Sequence, residues 1–246
     1  MSKDRIFLLH GLMQKSNNMM KMRRYLEKSG YEVHALDYAS RNGQINDHIH
    51  SISEQIKTII ETGNQSLTNH FVGFSLGGVL TRLYLEQTTL PQNLNLGRVV
   101  FIGAPMRGTK LVNFTLKYFE HRFFPITSLS YGPTIHELIH DHDALPKKPL
   151  TYEAGTITGT SGKSIPIAWA YLNFADGGFN DGRVSEKSSR IEGEADHIRI
   201  PAVHFYMPQY QSIIEQTAFF LQHGKFNHDK HYKREYFFLG KALLKR

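Results

Sequence analysis

Gly73-Phe74-Ser75-Leu76-Gly77 combines residue types and spacing suited to nucleophilic chemistry. The pentapeptide lies between a strand-like run (His70-Phe71-Val72) and a helix-like one (Gly78 to Glu86), so it reads as a nucleophile elbow. The turn is so tight that side chains two residues before and after the serine would collide with it, hence glycine at both places. The serine hydroxyl then stands exposed at a strand end, beside backbone N–H groups at the start of a helix. A hydroxyl attacks a carbonyl well only when a base takes its proton, an acid orients that base and N–H donors receive the oxyanion.

His204 is the best base among fourteen histidines. It follows the strand-like run Ile198 to Val203, which in a parallel sheet returns it to the edge where the elbow lies. His197, at the start of that run, falls at the opposite edge. Asp181, in Asn180-Asp181-Gly182-Arg183-Val184, is the preferred acid and completes the chain order Ser, Asp, His. Asp176, followed by Gly177-Gly178, offers nearly the same local chemistry, and both aspartates also suit plain turns. The oxyanion donors expected are the backbone N–H groups of Leu76, directly after the serine, and of Leu12, after His10-Gly11.

A rival motif is His136-Glu137-Leu138-Ile139-His140, the H-E-x-x-H pattern in which two histidines on one helical face hold zinc and the glutamate acts as base. Its context is poor. Pro133 and Pro146 confine it to a short helix, and the next glutamate is Glu153. The reading favoured is a polar-faced helix with Leu138 and Ile139 packed inward. Gly162-Lys163-Ser164 is no phosphate loop, because Ile157 stands where the first glycine would be required.

Short apolar runs alternate with longer amphipathic ones, as expected of a parallel sheet covered by helices. Strands are expected at Ile6–Leu9, Tyr31–Leu36, His70–Val72, Arg98–Ile102, Thr151–Thr158 and Ile198–Val203. Helices are expected at Ser16–Ser29, Ile45–Glu61, Gly78–Glu86 and after Pro208. Ile49, Ile52, Ile56, Ile59 and Ile60 recur at helical spacing along the second of these. Residues 106–150 are irregular and aromatic-rich, too long for an ordinary connection, and read as a lid or cap insertion. Within it Phe114, Leu116, Tyr118, Phe119, Phe123, Phe124, Ile126 and Tyr131 suit either a satellite core or an acyl pocket.

The chain of 246 residues has no cysteine, which excludes disulfides and thiolate metal sites. Its net charge of +7 is uneven, since residues 225–246 hold seven Lys/Arg against two acidic residues. A nearly neutral body argues against a nucleic-acid enzyme. The chain divides into a catalytic body, 1–224, and a basic, aromatic extension, 225–246. The extension suits either packing on the body or contact with an anionic membrane surface. The apolar run after Arg5 is too short for a signal peptide, so a cytoplasmic protein is expected.

Leu8-Leu9-His10-Gly11-Leu12, the Gly-Phe-Ser-Leu-Gly-Gly elbow, Ile102-Gly103-Ala104-Pro105-Met106-Arg107-Gly108-Thr109, the Asp-Gly-Arg-Val loop and His204-Phe205 resemble the α/β-hydrolase superfamily. The resemblance spans residues 5–223 and is narrower to its small bacterial lipases and esterases. Met106 stands where those proteins usually carry histidine, a departure that touches no triad position. The chain begins at the oxyanion strand, like minimal members of about six strands. The resemblance implies an α/β-hydrolase fold with helices on both faces of a mostly parallel sheet, and ester or thioester hydrolysis through an acyl-serine; with the apolar residues of 106–150, the reading taken is an apolar acyl ester or lipid substrate. It implies no cofactor and no metal. The alternatives are a thioesterase or acyltransferase on the same triad, a non-catalytic hydrolase-like binding module, or a zinc hydrolase using His136 and His140.

Overall fold

A computed structural model describes residues 4–87, 89–117 and 131–232. The first strand, β1 (Arg5–Leu9), is buried along its whole length and alternates its side chains between two apolar layers. Phe7 and Leu9 join one layer, Ile6 and Leu8 the other. Five further strands extend the pattern: β2 (Glu32–Leu36), β3 (Asn69–Phe74), β4 (Leu96–Ile102), β5 (Ala154–Gly159) and β6 (Asp196–Ile200). All pairings are parallel, in the order β2-β1-β3-β4-β5-β6.

Helices cover both faces because strands buried on both sides need apolar partners above and below. On one face lie α2 (Ile45–Thr62) and α3 (Leu76–Gln87); on the other lie α1 (Met20–Lys28) and α8 (Gln211–His223). Helix α2 buries Ile49, Ile52, Ile56 and Ile60 at three- and four-residue steps. Its start is fixed by a capping box between Gln44 and Asp47, and the Ile45 N–H donates to Glu137 Oε2 at 2.7 Å. Shorter helices are α4 (Lys110–Thr115), α5 (Thr134–Glu137), α6 (Pro166–Asp176) and α7 (Glu186–Ser189).

The order of strands reverses between β1 and β3, where chain connections leave in opposite directions. In open α/β sheets a ligand crevice forms at the strand C-termini of such a switch point. Here those termini are the His10-Gly11-Leu12 loop and the Ser75 turn.

Several expected boundaries move. The helix expected over Ser16–Ser29 is a 3-10 turn, Ser16–Met19, followed by α1. The last strand starts two residues earlier than expected and ends at Ile200. The described start of the extension after Gly224 packs on the body. Phe226 is buried against Phe220, with ring centroids 4.8 Å apart, and its N–H donates to Asp196 Oδ2. Gln216 exchanges hydrogen bonds with the Asn227 backbone, and Lys230 pairs with Glu215. The rest of the basic extension, 233–246, lies outside the described residues, as do Tyr118, Phe119, Phe123, Phe124 and Ile126 of the expected lid. Among the described residues no helix is long and apolar enough to cross a membrane.

Candidate active site

Ser75 occupies the turn between β3 and α3 with φ of 53°, a left-handed conformation costly for a residue with a side chain. The turn persists because its surroundings over-determine it. The Ser75 N–H donates to Ile102 O at 2.9 Å, and its carbonyl accepts from Gly78 N–H at 3.0 Å. The glycines do separate jobs. A Cβ at Gly73 would strike the backbone of Gly77 and Gly78, the first turn of α3. A Cβ at Gly77 would strike the Leu9 carbonyl and lie 2.5 Å from that of His10. One glycine thus lets the helix close on its own strand, and the other lets it press against the end of β1.

His204 opens a 3-10 turn (His204–Gln209) soon after β6, and its side chain is nearly buried. Its Nε2 lies 3.0 Å from Ser75 Oγ, and its Nδ1 lies 2.6 Å from Asp181 Oδ2. The other oxygen of that carboxylate, Oδ1, accepts the backbone N–H groups of Arg183 at 2.9 Å and Val184 at 2.7 Å. The His204 N–H in turn donates to Asp181 O at 3.1 Å. Asp181 is therefore held by its own turn on one side and meets the imidazole on the other. The structure brings Ser75, Asp181 and His204 into one hydrogen-bonded row.

Asp176 does not join that row. It ends α6, where its carboxylate pairs with Lys110 Nζ at 2.8 Å and accepts from Ser185 Oγ at 2.6 Å. Burial raises its pKa, but the bonds from Lys110 and Ser185 together outweigh burial and hold it below the usual value. His197 also stays away, at the start of β6, bonded to Thr158 Oγ1 at 3.0 Å. Burial, aided by Arg190, pushes its pKa down to about 4.

The Gly11-Leu12 loop lies beside the serine. A Cβ on Gly11 would fall 3.2 Å from Ser75 Cβ, so only glycine lets the loop come this close. Among the described residues the Leu12 N–H has no hydrogen-bond partner. The Leu76 N–H belongs to the first residue of α3, a position with no acceptor in its own helix. His10 supports the loop from beneath. It is fully buried, stacks on Tyr38 with centroids 4.1 Å apart, and its Nδ1 lies 2.9 Å from Gly11 O. Burial lowers its pKa, so it is a neutral ring that shapes the loop.

Sequence reasoning missed several contributors. A Cβ on Gly103, whose φ is +52°, would lie 3.2 Å from Asp181 Oδ2 and 3.4 Å from His204 Nδ1. A Cβ on Gly159 would lie 2.8 Å from Asp181 Cβ. Both clear space for Asp181; Gly103 sits in a segment that carries the family resemblance, whereas Gly159 has no local signal beyond being glycine. The apolar pocket beside Ser75 is walled by Leu12, Leu111, Val112, Ile135, Leu138 and Val184, with Tyr131. Of the eight residues suggested for an acyl site, Tyr131 alone lines it among those described. Phe114 instead packs on Tyr171 and Leu116 enters the core.

The H-E-x-x-H segment is taken apart by the fold. Helix α5 stops at Glu137, so His136 and His140 share no helical face. Glu137 is spent on the start of α2, and His140 Nδ1 lies 2.9 Å from Arg107 O. Among the described residues no three His, Cys, Asp or Glu side chains converge as metal ligands.

A doubly covered parallel sheet, with a serine turn at its switch point, is the α/β-hydrolase architecture. Within it the chain belongs to the palmitoyl protein thioesterase family, whose model matches residues 5–144. The fold is shared with the mature lipase BlEst2 of Bacillus licheniformis, at 20% identity and a TM-score of 0.68 over 90% of this chain and 91% of that one. It is shared with the metagenomic carboxyl esterase MGS0156, at 17% identity and a TM-score of 0.63 over 82% of this chain and 65% of that one. The lin2722 product of Listeria innocua is similar at 16% identity, with a TM-score of 0.57 over 90% and 94% of the two chains. No curated protein matches the sequence. Family and fold together place the chain among the α/β-hydrolases.

Proposed function

We propose that this protein hydrolyses carboxylic esters with an apolar acyl group through an acyl-serine intermediate. The observation that carries the reading is the row Ser75–His204–Asp181, with spacings of 3.0 and 2.6 Å, at the wall of an apolar pocket. An ionised carboxylate only accepts, so Asp181 keeps the proton of His204 on Nδ1 and leaves Nε2 as acceptor for the serine hydroxyl. Ser75 Oγ then adds to the ester carbonyl as its proton moves to Nε2. The carbonyl oxygen becomes an oxyanion, received by the N–H groups of Leu12 and Leu76. Nε2 returns the proton to the leaving alkoxide, the C–O bond breaks, and the acyl group remains on Ser75. Water repeats the sequence from the same side and releases the acid.

A second reading is favoured by the family to which the chain belongs: the acyl group enters as a thioester. The residues and steps are the same, with a thiolate leaving in place of an alkoxide. Matched oxygen and sulfur esters of one acyl chain separate the two by the ratio of kcat/KM.

The test of the serine mechanism is labelling by a fluorophosphonate probe together with ester turnover. Ser75→Ala is expected to abolish labelling and to lower kcat by roughly four orders of magnitude or more, the scale of nucleophile removal in such enzymes. Turnover near the wild-type rate in Ser75→Ala would sink the reading.

A further inference from the structure

The pocket beside Ser75 is lined mostly by apolar side chains, with Gln14, Thr109, Thr115 and Tyr131 among its polar ones, and it carries one permanent charge. Arg183 lines it, and among its described lining residues there is no aspartate or glutamate. Seven of the ten described arginines pair with a carboxylate. Of the others, Arg24 and Arg41 are exposed on the surface, where water satisfies them. Arg183 is half-buried and, among the described residues, has no carboxylate partner. Its guanidinium lies 5.5 Å from the centre of the Phe205 ring, and its Nη1 is 3.5 Å from Tyr131 Oη.

The backbone of Arg183 is tied down on both sides. Its N–H donates to Asp181 Oδ1 at 2.9 Å, and its carbonyl accepts from Thr109 Oγ1 at 2.9 Å. A cation on so fixed a stem lines the same pocket as Ser75 and His204. Its position within the pocket can also be read. Ile135, Leu138 and Val112 are buried and form the inner wall, whereas Phe205 is 42% exposed and marks the mouth. An acyl chain belongs inside and the leaving group at the mouth, beside Arg183.

We infer that Arg183 binds a compact anion, carboxylate or phosphate, carried on the leaving-group side of the substrate. The inference rests on the acyl-serine reading above and adds a substrate class to it: an apolar acyl group joined to an anionic alcohol or thiol. A guanidinium presents a planar fork of donors that matches either anion and stays charged throughout the working pH range. The aromatic face of Phe205 holds the cation without neutralising it.

The experiment uses soluble hexanoyl esters of three alcohols that differ in charge: glycerol, glycerol phosphate and glycerate. In the wild type kcat/KM for at least one anionic ester is expected to exceed that for the neutral one by roughly ten- to a hundredfold, the worth of a charge-assisted hydrogen bond. The arm showing the larger preference identifies phosphate or carboxylate. Arg183→Met is expected to bring the ratio close to one, and Arg183→Lys, which keeps the charge but not the fork, to an intermediate value. A wild-type ratio near one, or the same ratio in Arg183→Met, overturns the inference. Binding gives a readout free of catalysis. By calorimetry, Ser75→Ala protein should bind hexyl phosphate or hexanoate more tightly than hexanol, and Ser75→Ala/Arg183→Met should lose that difference. Equal affinities in the two proteins overturn the anion site. Turnover that survives Ser75→Ala overturns only the nucleophile.

Discussion

Asp176 and Asp181 stand five residues apart, each beside a glycine, and both side chains are almost withdrawn from solvent, at 3% and 1% exposure. Their environments differ in what reaches them. Asp176, at the end of α6, meets a lysine from α4 and a serine hydroxyl, so it fastens one helix to another. Asp181 meets two amides of its own turn and the imidazole of a residue beyond β6. The lesson is that a buried carboxylate acquires its role from its partners. A like local sequence serves a structural ion pair in one case and a hydrogen-bonded row ending at Ser75 in the other.

The sharpest way to break that comparison is to remove one charge at a time. Asp181→Asn should lower kcat by roughly three to four orders of magnitude, because an amide no longer fixes the tautomer of His204 or stabilises the imidazolium. Asp176→Asn should leave kcat within a few-fold and instead cost about 1–3 kcal/mol of stability, by leaving Lys110 without its carboxylate. Steady-state kinetics and urea melts of the two variants provide both readings. The reverse ranking in kcat would transfer the orienting role to Asp176.

Glycines offer a second, smaller contrast. Gly77→Ala places a methyl group against the Leu9 and His10 carbonyls, where only backbone movement relieves the clash. It should cost about 1–3 kcal/mol and reduce turnover as well, since α3 carries Leu76 and abuts the Leu12 loop. Gly178→Ala meets nothing within 4 Å, and its φ of +72° alone is unfavourable. Its cost should be about 1 kcal/mol with turnover unchanged. Equal effects on turnover would show that the elbow tolerates displacement.

The smallest effect concerns His197, at the start of β6. His197 has a folded-state pKa of about 4, below its ordinary value of 6.5, because burial disfavours the charged ring. Above 6.5 both folded and unfolded chains hold it neutral and its contribution is complete. As pH falls from 6.5 towards 4 the unfolded chain takes up a proton that the folded one refuses, and stability is lost. His197→Gln removes this contribution. Its stability should fall less between pH 7 and pH 5 than that of the wild type, measured by denaturant midpoints. An equally steep fall in both proteins would assign the acid sensitivity to other groups.

Much of this was legible in the chain itself. Ser75 was announced by glycines on both sides. His204 followed from the rule that a parallel strand delivers its C-terminal residue to the edge where the other strands end. The isoleucines of α2 marked their buried face by spacing alone. Other features had no local signature. Glu137 reads as part of a metal motif but caps α2, 92 residues away in sequence. Phe226 reads as part of an extension suited to packing or to a membrane surface, and only the fold shows that it packs beside Phe220. The residues suggested for an acyl pocket came from one mostly aromatic segment, whereas the observed wall is mostly aliphatic and drawn from four separate segments.

By itself the sequence determined what short-range sterics and burial periodicity can enforce: a parallel α/β sheet, a strained serine turn, a glycine that admits the neighbouring loop, and the order Ser, Asp, His. The tertiary structure decided which aspartate the histidine meets, where the pocket opens, and that Arg183 faces it without a carboxylate among the described residues. Ser75 and His204 lie 129 residues apart, and their 3.0 Å contact depends on six strands ending at one edge. Contacts of that range are set by packing of the whole sheet and its helices, which no window of sequence contains.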